Sequence, residues 1–329
     1  MRFINYDPAD RASWLALREE CQKTGVGGSE IASIANIPGA YSSAYTEWAY
    51  RTGRLVRQDR ESAYLEDGRD IEAIVQKRFE EASGLSVRHR YAIIVNEKYP
   101  HLFANVDGFV EGEDMGWEGK TYDVRSNKFD EGVPAPYVAQ VTVYLAVTGR
   151  KRWVLSAWAY GQGTRHFFFT RDASDPKPEW ATEKIVLTDE DLRAAETVAA
   201  EFMHHVETDT PPDFDGSEET SNTIKAIYPD ALDYETRDLS GCLSNLMSLE
   251  EINRQIKDLE RRAETEKQTL MEALGEAESG AAPGFKVTYK TTTSRRLDTA
   301  SAKEALGSVL DPFFKQTATR VLRIAKAKV

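Results

Sequence analysis

Asp107, followed by Glu118-Gly119-Lys120, has the residue types and spacing that phosphoryl chemistry requires. Residues two apart on a β-strand point to one face, so a strand through Trp117–Tyr122 brings Glu118 and Lys120 together. Asp107, on the preceding strand, can reach that face across a hairpin. Two carboxylates beside an ammonium make a poor core. They make a good seat for Mg²⁺, which takes hard oxygen ligands and keeps several waters. Such a metal polarises a phosphoryl oxygen and acidifies a water. Lys120 can orient that water and favour its hydroxide form, and Gly119 can add its carbonyl oxygen. The same short pattern also arises from charges alternating on the wet face of a strand, so the flanking segments have to decide.

Upstream, Gly68-x-x-x-Glu72 puts a carboxylate on a helix beside apolar Ile71, where Glu72 either completes a two-metal site or is a surface acid. Downstream, Gln140 and Tyr144 share one helix face. The amide can bond the attacking water or hold Lys120. The phenol can meet DNA or serve as a core aromatic. Gly27-Gly28-Ser29 ahead of Ile31, Ala32 and Ile34 reads as a helix N-terminus with Ser29 as its cap, a general anion site.

The elements that must position these residues follow from periodicity. An amphipathic turn starts at Trp14, Leu15 and Leu17 and carries Arg18. Ile71, Ile74, Val75 and Phe79 recur at helical spacing after Gly68. Tyr91–Val95 and Leu102–Val110 are candidate strands, and an acidic turn at 111–114 leads into the strand of Glu118, which suggests a hairpin. A helix through Val138, Val141 and Leu145 stops at Gly149, and strands follow at Arg152–Tyr160 and Thr164–Thr170. Residues 171–184 read as a polar connection, 189–207 as an amphipathic helix and 208–222 as linker. A heptad-like run from Leu249 to Leu270 suits an antiparallel helical pair packed on the core. A strand at Phe285–Tyr289, a helix from about Thr299 and an apolar-basic close complete the chain. The expected fold is mixed α/β (α+β): residues 1–187 as the catalytic domain, 188–280 as a helical hairpin extension and 281–329 as a basic segment.

Net charge is −12 over 329 residues, which opposes nucleic-acid binding. Residues 281–329, however, carry ten basic and three acidic side chains, a local +7. No apolar run approaches the roughly 18 residues that span a bilayer, and no membrane role is expected. Met1–Asp7 lacks the apolar centre of a secretory leader. Cys21 and Cys242 are too few for a four-cysteine metal or iron–sulphur centre and fit a reducing cytoplasm.

In order, Trp14–Arg18, Gly25–Ala32, Gly68–Glu72, Asn105–Gly108, Glu118–Thr121 and Tyr137–Gln140 leading into Val147-Thr148-Gly149 resemble the YqaJ-like viral recombinases. These are relatives of phage lambda exonuclease among the PD-(D/E)xK nucleases. The resemblance implies a restriction-endonuclease-like core, a mixed sheet flanked by helices. It implies degradation of linear duplex DNA from 5′ ends to 5′-mononucleotides, the 3′ strand passing to a single-strand annealing protein. It maps Asp107 and Glu118 onto metal ligands, with Gly119 and Glu72 adjoining, and Lys120 onto the catalytic lysine. Glu72 and Gln140 map onto supporting positions. Ser29 and Arg18 map onto the 5′-phosphate pocket, with Asn105, Tyr137 and Tyr144 as further DNA contacts. Mg²⁺ is the implied cofactor, with Mn²⁺ substituting. A ring-shaped trimer and a phage or prophage protein acting in the bacterial host cytoplasm are also implied. Gly119 departs from the larger apolar residue usual at its position. A structure- or sequence-specific endonuclease and a non-catalytic DNA-binding scaffold are the competing readings.

Overall fold

From Met115 onward, apolar and functional residues alternate: Trp117 faces one side of a strand, Glu118 and Lys120 the other. The computed structural model describes residues 1–57, 63–126, 128–231, 235–294 and 298–314. The chain divides into two compact units, Met1–Pro229 and Asp230–Val329.

The first unit opens with β1 (Arg2–Asn5), α1 (Arg11–Gln22), β2 (Val26–Gly27), α2 (Ile31–Ile34), α3 (Ala44–Arg51) and α4 (Ala63–Ser83). Five strands follow: β3 (Val87–His89), β4 (Ala92–Asn96), β5 (Tyr99–Asn105), β6 (Gly108–Val110) and β7 (Met115–Thr121). Then come α5 (Ala135–Thr148), β8 (Arg152–Ala159), β9 (Gly163–Thr170), β10 (Glu183–Val186), α6 (Asp189–Glu207) and α7 (Glu218–Ile227).

Two sheets result, a four-stranded one ordered β1-β4-β5-β2 and a six-stranded one ordered β10-β9-β8-β7-β6-β3. The larger is mixed: β6 and β9 run antiparallel to β7 and β8, which are parallel to each other. A parallel pair needs a crossover, and α5 supplies it. On one face, Trp117, Val154 and Phe168 pack against Val75 and Phe79 of α4. On the other, Leu155, Ala157 and Phe167 pack with Val141 and Leu145 of α5. Helix α5 also packs on β5 of the smaller sheet, so it is apolar nearly all round, as a fully buried helix must be. The mixed α/β architecture expected from the sequence is the one observed.

Several boundaries differ from the sequence reading. The segment read as one strand, Leu102–Val110, is two, because β5 belongs to the small sheet and β6 to the large one. Asp107 lies at the crossing between them. Helix α4 begins at Ala63, so Gly68 is inside it rather than at its start. The polar connection ends in β10, parallel to β9. The presumed linker contains the start of α7, capped by Ser217. Thr220 and Thr223 of α7 bond the hydroxyls of Ser43 and Thr46 at 2.8 and 2.7 Å, a buried hydroxyl cluster that composition alone reads as surface. Helices α6 and α7, placed beyond residue 187 by the sequence reading, pack within the first unit, α6 against α5 and β5.

In the second unit, α8 (Leu243–Leu274) is followed by a hairpin of β11 (Ser279–Ala282) and β12 (Phe285–Thr288), then α9 (Thr299–Leu306). Leu249, Ile252, Ile256, Leu259 and Leu270, the heptad-like residues, are exposed along α8. The basic close from residue 315 lies outside the described residues. No helix among the described residues is long and apolar enough to cross a membrane.

The register pairs Gly116 with Trp153, and a Cβ on Gly116 would lie 2.2 Å from the indole. Gly116→Ala should therefore destabilise the first unit by about 1–3 kcal/mol or more, the usual cost of overpacking. Urea unfolding checks this, and an unchanged midpoint would show that the indole has room to move.

Candidate active site

The crossing between the sheets is pinned onto β7 by one bond: Asp107 Oδ2 accepts from the Gly119 N–H at 2.9 Å. This holds Asp107 beside Glu118, which is 3% exposed. Glu118 Oε1 accepts from Lys120 Nζ at 2.6 Å, Gln140 Nε2 at 2.9 Å and the Tyr144 hydroxyl at 3.4 Å. Its other oxygen, Oε2, is buried with no hydrogen-bond partner. The two strands and α5 thus saturate one oxygen of Glu118 and leave the other bare.

The electrostatics follow from three acids and one ammonium in a poorly solvated space. Burial, reinforced by the charge of Asp107, pushes Glu118 up to about 8 against the pull of Lys120. Burial and the charge of Glu72 push Asp107 up to about 6. Glu72 is raised too, by burial and then by Glu118. For Lys120, burial works against the charge, but the Glu118 and Asp107 carboxylates outweigh it and raise its pKa. Lys120 is therefore a firmly charged donor. The sequence reading also had it favouring hydroxide; its charge can do so by attraction, while its proton stays in place.

An unsatisfied carboxylate oxygen beside a second raised carboxyl is a donor set short of positive charge. A divalent cation would suit it, and Asp107, Glu118 and a backbone oxygen are the groups that could hold one. Glu72 is the third acid that acts on this group. It comes from α4, on the opposite face of β7, and its Oε1 is 3.8 Å from His89 Nδ1. A Cβ on Gly119 would lie 3.5 Å from Glu72 Cγ and 2.9 Å from the Trp117 ring. The glycine thus lets Glu72 and Trp117 occupy the space that a larger apolar residue would fill. Among the described residues no three His, Cys, Asp or Glu side chains converge as a metal cluster. His89, unnoticed in the sequence, bonds the Asp107 carbonyl oxygen at 2.9 Å and Gln76 Oε1 at 2.5 Å, tying α4 to the crossing.

Asp107, Glu118, Gln140 and Tyr144 line a pocket of about 180 Å³ together with Arg18, Ser29 and Asn105. Arg18 Nη2 donates to Ser29 Oγ at 3.2 Å and to Glu30 Oε1 at 2.9 Å. Ser29 does not cap α2. That position belongs to Glu30, and the helix has only four residues, so the anion-suited groups are the hydroxyl and the guanidinium rather than a helix end. Glu30 Oε2 is bonded by Arg51 at 2.8 Å and the Gly27 N–H at 3.2 Å. Burial favours its neutral form, yet Arg51 and Arg18 pull it down to about 2. Arg51 also donates to the carbonyls of Gly25 and Gln22, at 2.6 and 2.8 Å, locking the glycine turn. Nothing local in the sequence pairs Glu30 with so distant an arginine.

Asn105 Oδ1 accepts from the Tyr6 hydroxyl at 3.0 Å. Tyr144 is buried, and Gln140 donates to its hydroxyl at 2.5 Å. Tyr137 is buried as well, 6% exposed, with its hydroxyl toward Tyr41 and Lys128. A wider, open hollow of about 670 Å³ at the far end of β6 is lined by paired charges, Arg88 with Glu111 and Arg150 with Asp114, and none of the residues above.

Residues 13–151 match the family model of the YqaJ-like viral recombinase domain. The protein YqaJ of Bacillus subtilis (strain 168) is 27% identical over 313 residues, covering 93% of this chain and 92% of that protein. Among solved structures, the alkaline exonuclease LHK-Exo from Laribacter hongkongensis is 17% identical over 60% of this chain and 93% of its own, with a TM-score of 0.45. A phage related exonuclease from Haemophilus somnus 129PT is 13% identical over 56% of this chain and 96% of its own, with a TM-score of 0.40. Every pocket residue named above, from Arg18 to Tyr144, lies inside the matched stretch.

Cation binding at Asp107 and Glu118 needs both carboxylates ionised, and with values of about 6 and 8 they are not at neutral pH. Titrating Mg²⁺ or Mn²⁺ at pH 7 should release about one proton per cation, falling toward zero near pH 9. Calorimetry in buffers of different ionisation enthalpy measures it, and an enthalpy at pH 7 that does not change with the buffer would contradict the assignment. Glu30 has a folded pKa near 2, below its usual 4.5, so its contribution to stability is present above about pH 4.5 and lost as pH falls toward 2. Glu30→Gln should cost about 3–5 kcal/mol at pH 7 by stranding Arg51, and the gap to wild type should narrow in acid-unfolding curves below pH 4.5.

Proposed function

Because residues 13–151 match the model of the YqaJ-like viral recombinase domain, we propose that this chain belongs to that family and is a Mg²⁺-dependent DNA exonuclease, with Mn²⁺ substituting. It degrades linear duplex DNA from 5′ ends and leaves 3′ single-stranded tails for an annealing protein. The observation that carries the reading is the bare Glu118 Oε2 beside Asp107, in one pocket with Arg18 and Ser29. Acids alone would repel a phosphodiester. Acids that hold a cation, opposite a guanidinium and a hydroxyl, suit one.

Asp107, Glu118 and the Gly119 carbonyl would hold the cation, which supplies Lewis acidity toward a phosphoryl oxygen and toward water. Gln140 and Tyr144 fix Glu118 through its Oε1, leaving Oε2 as the oxygen for the cation. Lys120, always protonated, offsets charge that accumulates on the phosphoryl oxygens. Glu72 adds negative charge beside Gly119 and acts on the site's ionisation. Arg18 and Ser29 receive the terminal 5′-phosphate, and Asn105, which lines the same pocket, contacts the DNA. A phosphate anchor and a hydrolytic centre within one small pocket favour removal of a terminal nucleotide over cutting within a strand. A trimer around the DNA, action in the bacterial host cytoplasm and a phage or prophage origin belong to the same reading.

End-labelled linear duplex with Mg²⁺ tests it. Loss of 5′ label as mononucleotide should precede loss of 3′ label, faster from 5′-phosphorylated ends. Lys120→Ala should slow digestion by at least about 10²-fold. Equal rates for the two enzymes would remove the site assignment, and cleavage of closed circular DNA at a comparable rate would replace the exonuclease with an endonuclease.

A further inference from the structure

At the N-terminal end of α5, a cation and two phenols meet outside the pocket already described. Lys128 Nζ donates to the hydroxyls of Tyr41 at 2.6 Å and Tyr137 at 2.9 Å, and the two phenols share a 2.8 Å hydrogen bond. The ammonium also sits 4.8 Å from the centre of each ring. Among the described residues no carboxylate pairs with Lys128. Tyr137 is buried, but Tyr41 is 72% exposed, an unusual position for an aromatic ring whose hydroxyl is already bonded. The loop bearing it is held in place: the Ser42 N–H donates to Ser33 Oγ at 3.2 Å, next to Ser43, which caps α3.

The cluster touches the acid centre. Lys120 Nζ lies 5.4 Å from the centre of the Tyr137 ring. Tyr137, Gln140 and Tyr144 follow one another along α5, the first and last about 10 Å apart at the helical rise. Gly28, next to Ser29, sits against Tyr144. The Arg18–Ser29 end and the Tyr41–Lys128 end are therefore on opposite sides of Glu118. A chain with a net charge of −12 places an uncompensated ammonium and an exposed ring here, beyond the acids.

We propose that Tyr41 and Lys128 form a second nucleotide subsite: the Tyr41 ring is a stacking face for a nucleobase, and Lys128 is the counter-charge for the adjoining phosphate. Stacking on an aromatic ring accepts any base, so the subsite adds affinity and register without sequence preference. Tyr137 buttresses both residues and connects the subsite to Lys120. This rests on the functional reading above, since it supposes a DNA strand crossing the acid centre.

The test uses the full-length chain. Binding is followed on duplexes with a short single-stranded end carrying 2-aminopurine, in an Asp107→Asn background that cannot cut, and kinetics in the otherwise unaltered enzyme. Tyr41→Ala should weaken binding roughly ten-fold, abolish the quenching of 2-aminopurine at one position and raise KM with little change in kcat. Tyr41→Phe keeps the ring and should keep all three. Lys128→Gln should lower the salt dependence of binding by about one phosphate contact. Unchanged KM, quenching and salt slope in Tyr41→Ala and Lys128→Gln, with normal thermal unfolding, would overturn the subsite. Failure of the unaltered enzyme to digest DNA, with Tyr41-dependent binding intact, would overturn the hydrolytic reading and leave the subsite standing.

Discussion

Two carboxyl groups, Asp107 and Glu118, are held together on one pocket wall, Glu118 buried and Asp107 half-buried, with one ammonium to offset them. Everything around β7 follows from keeping that arrangement intact. The Gly119 N–H fastens Asp107 at the junction of the two sheets, and α5 presents Gln140 and Tyr144 to a single oxygen of Glu118. Because α5 is covered on every side, these donors cannot swing away. The donors of Lys120, Gln140 and Tyr144 all converge on the first oxygen of Glu118, and the second receives none of them.

A second buried acid shows what a satisfied carboxylate looks like in the same unit. Glu30 is as buried as Glu118, yet Arg18, Arg51 and a backbone N–H draw its pKa down to about 2, while Glu118 rises to about 8. Low-dielectric surroundings penalise both charges. Only Glu30 has enough cationic partners to outweigh the penalty. Glu30 is thus a structural fastening that orders the glycine turn and Arg18. Glu118 lacks that compensation, and a cation would supply it under the proposed function. Perturbed acids mark function most usefully when their deficit is of positive charge rather than of hydrogen bonds.

The polar cross-links explain why the chain hides some of its architecture. The hydroxyl cluster of Ser43, Thr46, Thr220 and Thr223 is buried between α3 and α7, where composition alone places a linker. Gly119 looks like a weak point of its strand until Trp117 and Glu72 are seen filling the space beside it. In each case the compensating residue is distant in sequence or on another element, so no local pattern points to it.

Strand alternation by itself put Glu118 and Lys120 on one face, and helical spacing put Gln140 and Tyr144 on another, because both follow from backbone periodicity. Amphipathic spacing likewise located α4, α5 and α6, with α6 at its expected bounds, α5 stopping at Gly149 and only α4 starting earlier than read. Tertiary structure alone decided that the segment read as one strand changes sheets at Asp107, since only the competition between two sheets breaks it there. It alone decided that Glu72 approaches from the opposite face, that Ser29 answers to Arg18 instead of capping a helix, and that Tyr41 meets Lys128. These depend on packing between elements far apart in the chain, and periodicity carries no information about such distances.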